Sequence, residues 1–109
     1  MIKKAIRMKL YPNMKEEYTK RHQELWPQMK QMLFDHGAQS YSIFYDEETN
    51  YLFGYLEIED DARWANVPST EINRKWWEYM NDLMETNEDH SPVTAELIQV
   101  FELEKECNK

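Results

Sequence analysis

Tyr18 and His22 stand four residues apart, so a helix running through them sets a phenol and an imidazole on one face, one turn from each other. Imidazole, with an ordinary pKa of about 6.5, gives and takes a proton near neutral pH at little cost, and a phenol beside it suits proton transfer. The same spacing also describes a buried His satisfied by a Tyr or a backbone carbonyl. The Trp76-Trp77 pair is the second candidate. Successive helical residues point about 100° apart, which lets one indole pack inward while its neighbour faces outward or into a cleft. Two core tryptophans are the alternative; a platform for a flat, weakly polar ligand is the functional one. Sugars are ligands of that kind: their C–H faces stack on indole, and their hydroxyls need partners such as Tyr18 and Tyr41.

Other chemistries find less support. The three His lie 14 and 54 positions apart without Cys companions, so no metal site is expected. His36, beside Gly37, reads as a helix C-terminal residue favoured by the dipole, and His90 as a solvated loop residue. Gly37 and Gly54 are isolated, which leaves no Gly-rich phosphate loop, and nothing arranges a Ser or Cys nucleophile beside a base. We therefore expect no cofactor. Cys107 reads as an incidental tail thiol, without a second Cys for a disulfide. A formal charge of −8 disfavours nucleic acid and anionic membranes as partners. No apolar run reaches the roughly 18–20 residues of a membrane span, and none resembles a signal peptide, so a cytoplasmic protein is expected.

The elements that must position these residues can be read along the chain. Its 109 residues suit one domain, taken as 1–103 with a polar tail at 104–109. Leu, Ile, Val and Phe number only 21, which together with the charge leans towards disorder, but four Trp, seven Tyr and seven Met supply large buriable side chains. Ile2 to Leu10 alternates apolar and basic residues as a half-buried strand does. Asn13, with Glu16 three residues on, is placed to cap a helix through Asp35, and Pro27 inside it predicts a kink or restart near Trp26. Ser40 to Tyr45 and Tyr51 to Glu59 read as a hairpin, with Tyr41, Ile43 and Tyr45 assigned to the face of Tyr51, Phe53 and Tyr55, and Leu52, Leu56 and Ile58 to the other. A short helix from Asp60 to Val67, a longer one capped by Ser69 to about Met84, and a strand from Thr94 to Leu103 complete the chain. The order β-α-β-β-α-β is that of an α+β, ferredoxin-like subunit with a four-stranded antiparallel sheet and helices on one face. Both sheet faces read as apolar, so the uncovered one calls for a partner, and a homodimer with sheets packed face to face is expected.

A resemblance then adds to the reading. Arg21-His22-Gln23-Glu24-Leu25-Trp26-Pro27, His36-Gly37-Ala38 with Tyr41, Arg63-Trp64, Trp76-Trp77-Glu78-Tyr79-Met80, and Ser91-Pro92-Val93 with Glu96-Leu97 closely resemble the L-rhamnose mutarotase family, from about Met1 to Phe101. The resemblance implies a homodimeric α+β barrel that interconverts the α and β anomers of L-rhamnose without redox cofactor, metal or covalent partner. It also implies that His22 is the proton donor and that Tyr18, Tyr41, Trp76 and Trp77 bind the sugar. The acidic tail after Phe101 has no match in it. Two other classes share the scaffold: a cofactor-free or haem-handling oxygenase, and a non-enzymatic ligand-binding or dimerisation module.

Overall fold

The computed structural model describes residues 1–105, so Cys107 and the end of the polar tail lie outside the described residues. The chain runs β1 (Ile2–Lys9), α1 (Lys15–Gln23), α2 (Pro27–Asp35), β2 (Ala38–Tyr45), β3 (Tyr51–Ile58), α3 (Asp61–Trp64), α4 (Glu71–Met80) and β4 (Ala95–Leu97). All strand pairs are antiparallel, in the order β2-β3-β1-β4, which is the expected α+β sheet.

Of the kink or restart expected near Trp26, the restart is what forms: two separate helices flank the segment before Pro27. Trp26 takes extended backbone (φ −59°, ψ 135°), and Pro27 opens α2, where its missing N–H removes no helical bond. The cap expected of Asn13 does not form. Asn13 is left-handed (φ 66°), and Met14 precedes α1 without a side-chain cap bond. Asn tolerates that conformation better than most residues, so it serves the turn rather than the helix end. Thr70, not Ser69, caps α4, its Oγ1 accepting from the Asn73 amide at 3.3 Å, because Ser69 is held within a 3₁₀ turn, Val67–Ser69. The helix ends at Met80, short of Met84.

The hairpin corrects a face assignment. Tyr45 lies opposite Leu52, Ile43 opposite Gly54 and Tyr41 opposite Leu56, and directly opposed residues share a face. Tyr41, Ile43 and Tyr45 therefore look towards the helices together with Leu52, Leu56 and Ile58, and away from Tyr51, Phe53 and Tyr55. Each strand's alternation was legible, but relative parity depends on the register the turn imposes. Here Asp46 and Tyr51 pair across the loop, and Asn50 turns the chain at φ 66°.

The last strand is also shorter than expected. Ala95–Leu97 pairs with Ala5–Arg7, and beyond it Ile98, Val100, Phe101 and Leu103 are exposed, outside any regular element. An edge strand has a neighbour on one side only, so a period-two pattern alone does not hold it in the sheet. Lys3 nevertheless pairs with Glu102 and Glu104.

The core lies between the inner sheet face and α1, α2 and α4. Five of its members are methionines, Met8, Met29, Met32, Met80 and Met84, packed with Leu10, Leu52, Leu83, Val67, Tyr18 and Trp76. Methionine's unbranched side chain fills irregular gaps, which is how a chain poor in branched aliphatics still closes a core. Arg21 fastens α1 to the end of α4. It donates to the Tyr79 carbonyl at 2.6 Å and to the Asp82 carboxylate at 3.0 Å, and its guanidinium lies 4.5 Å over the Tyr79 ring.

Candidate active site

A cavity of about 710 Å³ opens between the inner sheet face and the helices, and Tyr18, His22, Tyr41, Trp76 and Trp77 all line it. The five site residues named from sequence thus stand around one space. His22 is held on three sides. Its Nδ1 donates to the Tyr18 carbonyl at 3.0 Å, its ring stacks on the Tyr18 ring with centroids 4.2 Å apart, and it meets the Trp76 ring edge-on at 5.4 Å. The carbonyl-satisfied reading of this His is therefore right for one nitrogen. A carbonyl can only accept, so Nδ1 keeps its proton and the neutral ring offers a bare Nε2, which makes no hydrogen bond among the described residues.

Burial pushes the His22 pKa below its ordinary 6.5, offset in part by the bond to the Tyr18 carbonyl. The two phenols move the other way. Burial raises Tyr18 well above the ordinary value of 10, with the nearby Tyr41 phenol adding to the effect. Tyr41 is pushed up to about 12, also by burial, although 38% of the residue as a whole remains exposed. Both hydroxyls consequently stay protonated through neutral pH. They can donate hydrogen bonds but do not serve as anionic bases.

Tyr41 depends on Gly54 for its place. A Cβ at Gly54 would sit 3.3 Å from Tyr41 Cε1 and 3.2 Å from Ile6 Cγ1, tighter than ordinary packing allows without a shift. The tryptophans divide. Trp76 is buried, 7% exposed, and its ring meets His22, Trp26 at 5.1 Å and Tyr79 at 5.6 Å. Trp77 is half-buried and lines both this cavity and a smaller polar one beside it.

Two further residues, His90 and Asn73, line the cavity. His90, expected in solvent, is half-buried and lines both cavities; it turns at φ 71° in a loop tied by the Asn87–Ser91 bonds. Asn73 lines the main cavity one helical turn before Trp76. Its only sequence signal was a polar residue on the otherwise apolar stripe of α4. His36 matches its expected part, its Nδ1 donating to the Met32 carbonyl at 2.8 Å at the end of α2. Among the described residues no three His, Cys, Asp or Glu side chains gather as metal ligands would, and no helix is long and apolar enough to cross a membrane.

The L-rhamnose mutarotase family model matches residues 3–103. The chain belongs to the L-rhamnose mutarotase family. It is 61% identical to an L-rhamnose mutarotase of Enterococcus faecalis over 94% of this chain and all of that protein. The crystal structure of an L-rhamnose mutarotase from Formosa agariphila superposes with a TM-score of 0.89 at 43% identity, covering 95% of this chain and all of that one. A dimeric ferredoxin-like protein from an uncultured marine organism superposes at a TM-score of 0.68, covering 94% of this chain and 98% of that one; at 14% identity it attests the ferredoxin-like fold alone. Membership in this mutarotase family makes proton transfer at a sugar the chemistry against which the cavity is to be judged. A shared scaffold by itself supports neither an oxygenase nor a ligand module.

Proposed function

We propose that the protein interconverts the α and β anomers of L-rhamnose as an isomerase, opening and reclosing the pyranose ring, with His22 moving the proton. The observation that carries this reading is that His22, with Nδ1 engaged by the Tyr18 carbonyl and no hydrogen bond at Nε2 among the described residues, lines a cavity walled by protonated phenols and indoles. In the hemiacetal the anomeric oxygen and the ring oxygen share one carbon, so a single imidazole nitrogen can reach both. Nε2 takes the anomeric hydroxyl proton as the C1=O bond forms and the bond from C1 to the ring oxygen breaks. The same nitrogen then hands that proton to the ring oxygen, so His22 is the donor to the leaving oxygen. The aldehyde group turns about the C1–C2 bond, and the steps reverse on its other face. Protons balance, and no oxidant or reductant enters. Tyr18 and Tyr41 hold hydroxyls by donating to them, Trp77 stacks on a C–H face of the sugar, and Trp76 backs the His22 ring. General acid–base assistance of this kind contributes about 10²–10⁴-fold, enough for a reaction that proceeds unaided.

A second copy of the chain covers the outer sheet face in this proposal, giving the dimeric α+β barrel. That face carries Phe44, Tyr51, Phe53 and Tyr55, and the exposed Ile98, Val100, Phe101 and Leu103 follow the edge strand. Lys3, Arg7, Lys9 and Glu57 share that face, so the aromatic side chains a partner would cover are interleaved with charges that could pair across the seam. Light scattering on the purified protein reads the mass directly, a monomer at micromolar concentration being the contrary result. The activity itself is tested by saturation-transfer NMR between the two anomers of L-rhamnose. Exchange above the buffer rate is expected, and exchange equal to buffer refutes the reading.

A further inference from the structure

Asn73 holds the one buried side-chain nitrogen or oxygen without a hydrogen-bond partner among the described residues, its Nδ2. The residue is 3% exposed. Its backbone amide already serves the helix cap at Thr70, so the side chain is not needed to start α4. It stands on the stripe Asn73, Trp76, Trp77 and Met80, all of which line the cavity, at the i, i+3, i+4 and i+7 spacing of one helix face. An apolar residue would complete that stripe without leaving a donor unsatisfied. A buried polar group without a partner calls for an explanation, and a ligand that supplies the partner is one.

We propose that the Asn73 carboxamide binds a hydroxyl of the sugar and so adds to its affinity, an inference that rests on the mutarotase reading above. The torsion about Cβ–Cγ of Asn is broad and nearly two-fold, so the amide can turn Nδ2 towards the cavity where a hydroxyl accepts from it. Its oxygen can accept from a neighbouring hydroxyl, which makes the carboxamide a match for a vicinal diol, a group every simple pyranose carries. The hydroxyl it meets is not the reacting one. His22 packs against Trp76, and Asn73 lies a further helical turn along α4, about 5–6 Å between Cβ positions. The sugar therefore spans from proton transfer at His22 to recognition at Asn73, with Trp77 lining the same cavity.

The test compares wild type with Asn73→Leu, which keeps the branched skeleton of the side chain and removes the donor, and Asn73→Ala, which removes both. Saturation-transfer exchange over a range of L-rhamnose concentrations separates KM from kcat, and thermal melting without sugar reports the fold. For Asn73→Leu we expect KM to rise about tenfold, the loss of one good hydrogen bond. We expect kcat to change less than threefold, and the melting temperature to stay level or rise. The ring-deoxy analogue lacking the recognised hydroxyl should lose affinity for wild type and be bound equally by wild type and Asn73→Leu. An unchanged KM in both variants, or unfolding of both, overturns the proposal and leaves Asn73 as a packing group. Wild-type exchange no faster than buffer instead sinks the mutarotase reading. Calorimetric binding of L-rhamnose to wild type and variant then decides Asn73 by itself, equal or absent binding counting against it.

Discussion

Replacing His22 with asparagine separates the work of its two ring nitrogens. The Asn side-chain nitrogen falls near the position of Nδ1 and can still donate to the Tyr18 carbonyl, a bond of 3.0 Å in the native protein. Nothing replaces Nε2. Stability should fall only by what the ring contributes through its stack on Tyr18 and its edge contact with Trp76. At about 0.5–1.5 kcal/mol for each such contact, that is about 1–3 kcal/mol, and the protein should remain folded. The exchange rate should fall by the whole acid–base contribution, about 10²–10⁴-fold, or about 3–5 kcal/mol of barrier at 1.36 kcal/mol per tenfold. Saturation-transfer NMR at saturating L-rhamnose measures the rate, and calorimetric sugar binding and thermal melting are run on the same sample. A His22→Asn protein that folds, binds sugar and exchanges anomers within threefold of wild type would refute the proton-transfer role. One that unfolds would mark His22 as a core residue before all else.

The tryptophans should part company: Trp76→Ala costs about 3–5 kcal/mol of stability, as a buried indole does, whereas Trp77→Ala keeps the melting temperature within a few degrees and raises KM about tenfold. Equal destabilisation with unchanged KM would remove the stacking role from Trp77. Acid should inactivate before it unfolds. Because burial holds the His22 pKa below 6.5, the neutral ring predominates at pH 7, and kcat/KM should fall as pH drops through a value under 6.5, with no such limb in His22→Asn. The sign for stability is the same: the unfolded chain binds more protons below 6.5, so the contribution of His22 is fully present above that pH and is lost as pH falls through the lower folded value. An acid limb that begins above pH 6.5, or one that His22→Asn shares, would contradict the assignment. Gly54→Ala places a Cβ 3.3 Å from the Tyr41 ring and should shift the ring enough to raise KM several-fold, with only a modest loss in melting temperature; unchanged KM would mean the ring accommodates freely.

Much of the site was legible before any fold, because helical spacing is a local property. Tyr18 and His22 had to share a face once α1 formed, and Pro27 had to interrupt the helix because a ring nitrogen carries no proton to donate. The element order and the apolar stripes followed from the same short-range rules. What the residues alone did not determine was whatever depends on two segments at once. The face of Tyr41 is one such feature, because parity within β2 says nothing about its register against β3. The end of the last strand was overrun because pairing needs a neighbour as well as a pattern. The different burial of Trp76 and Trp77 rests on the packing of α4 against α1 and α2, and the places of Asn73 and His90 in the cavity lining on which walls close it. Local dihedral preference and side-chain period are written in consecutive residues and fixed the parts. Register, burial and the sharing of one cavity are set by long-range packing, and only the folded chain decided them.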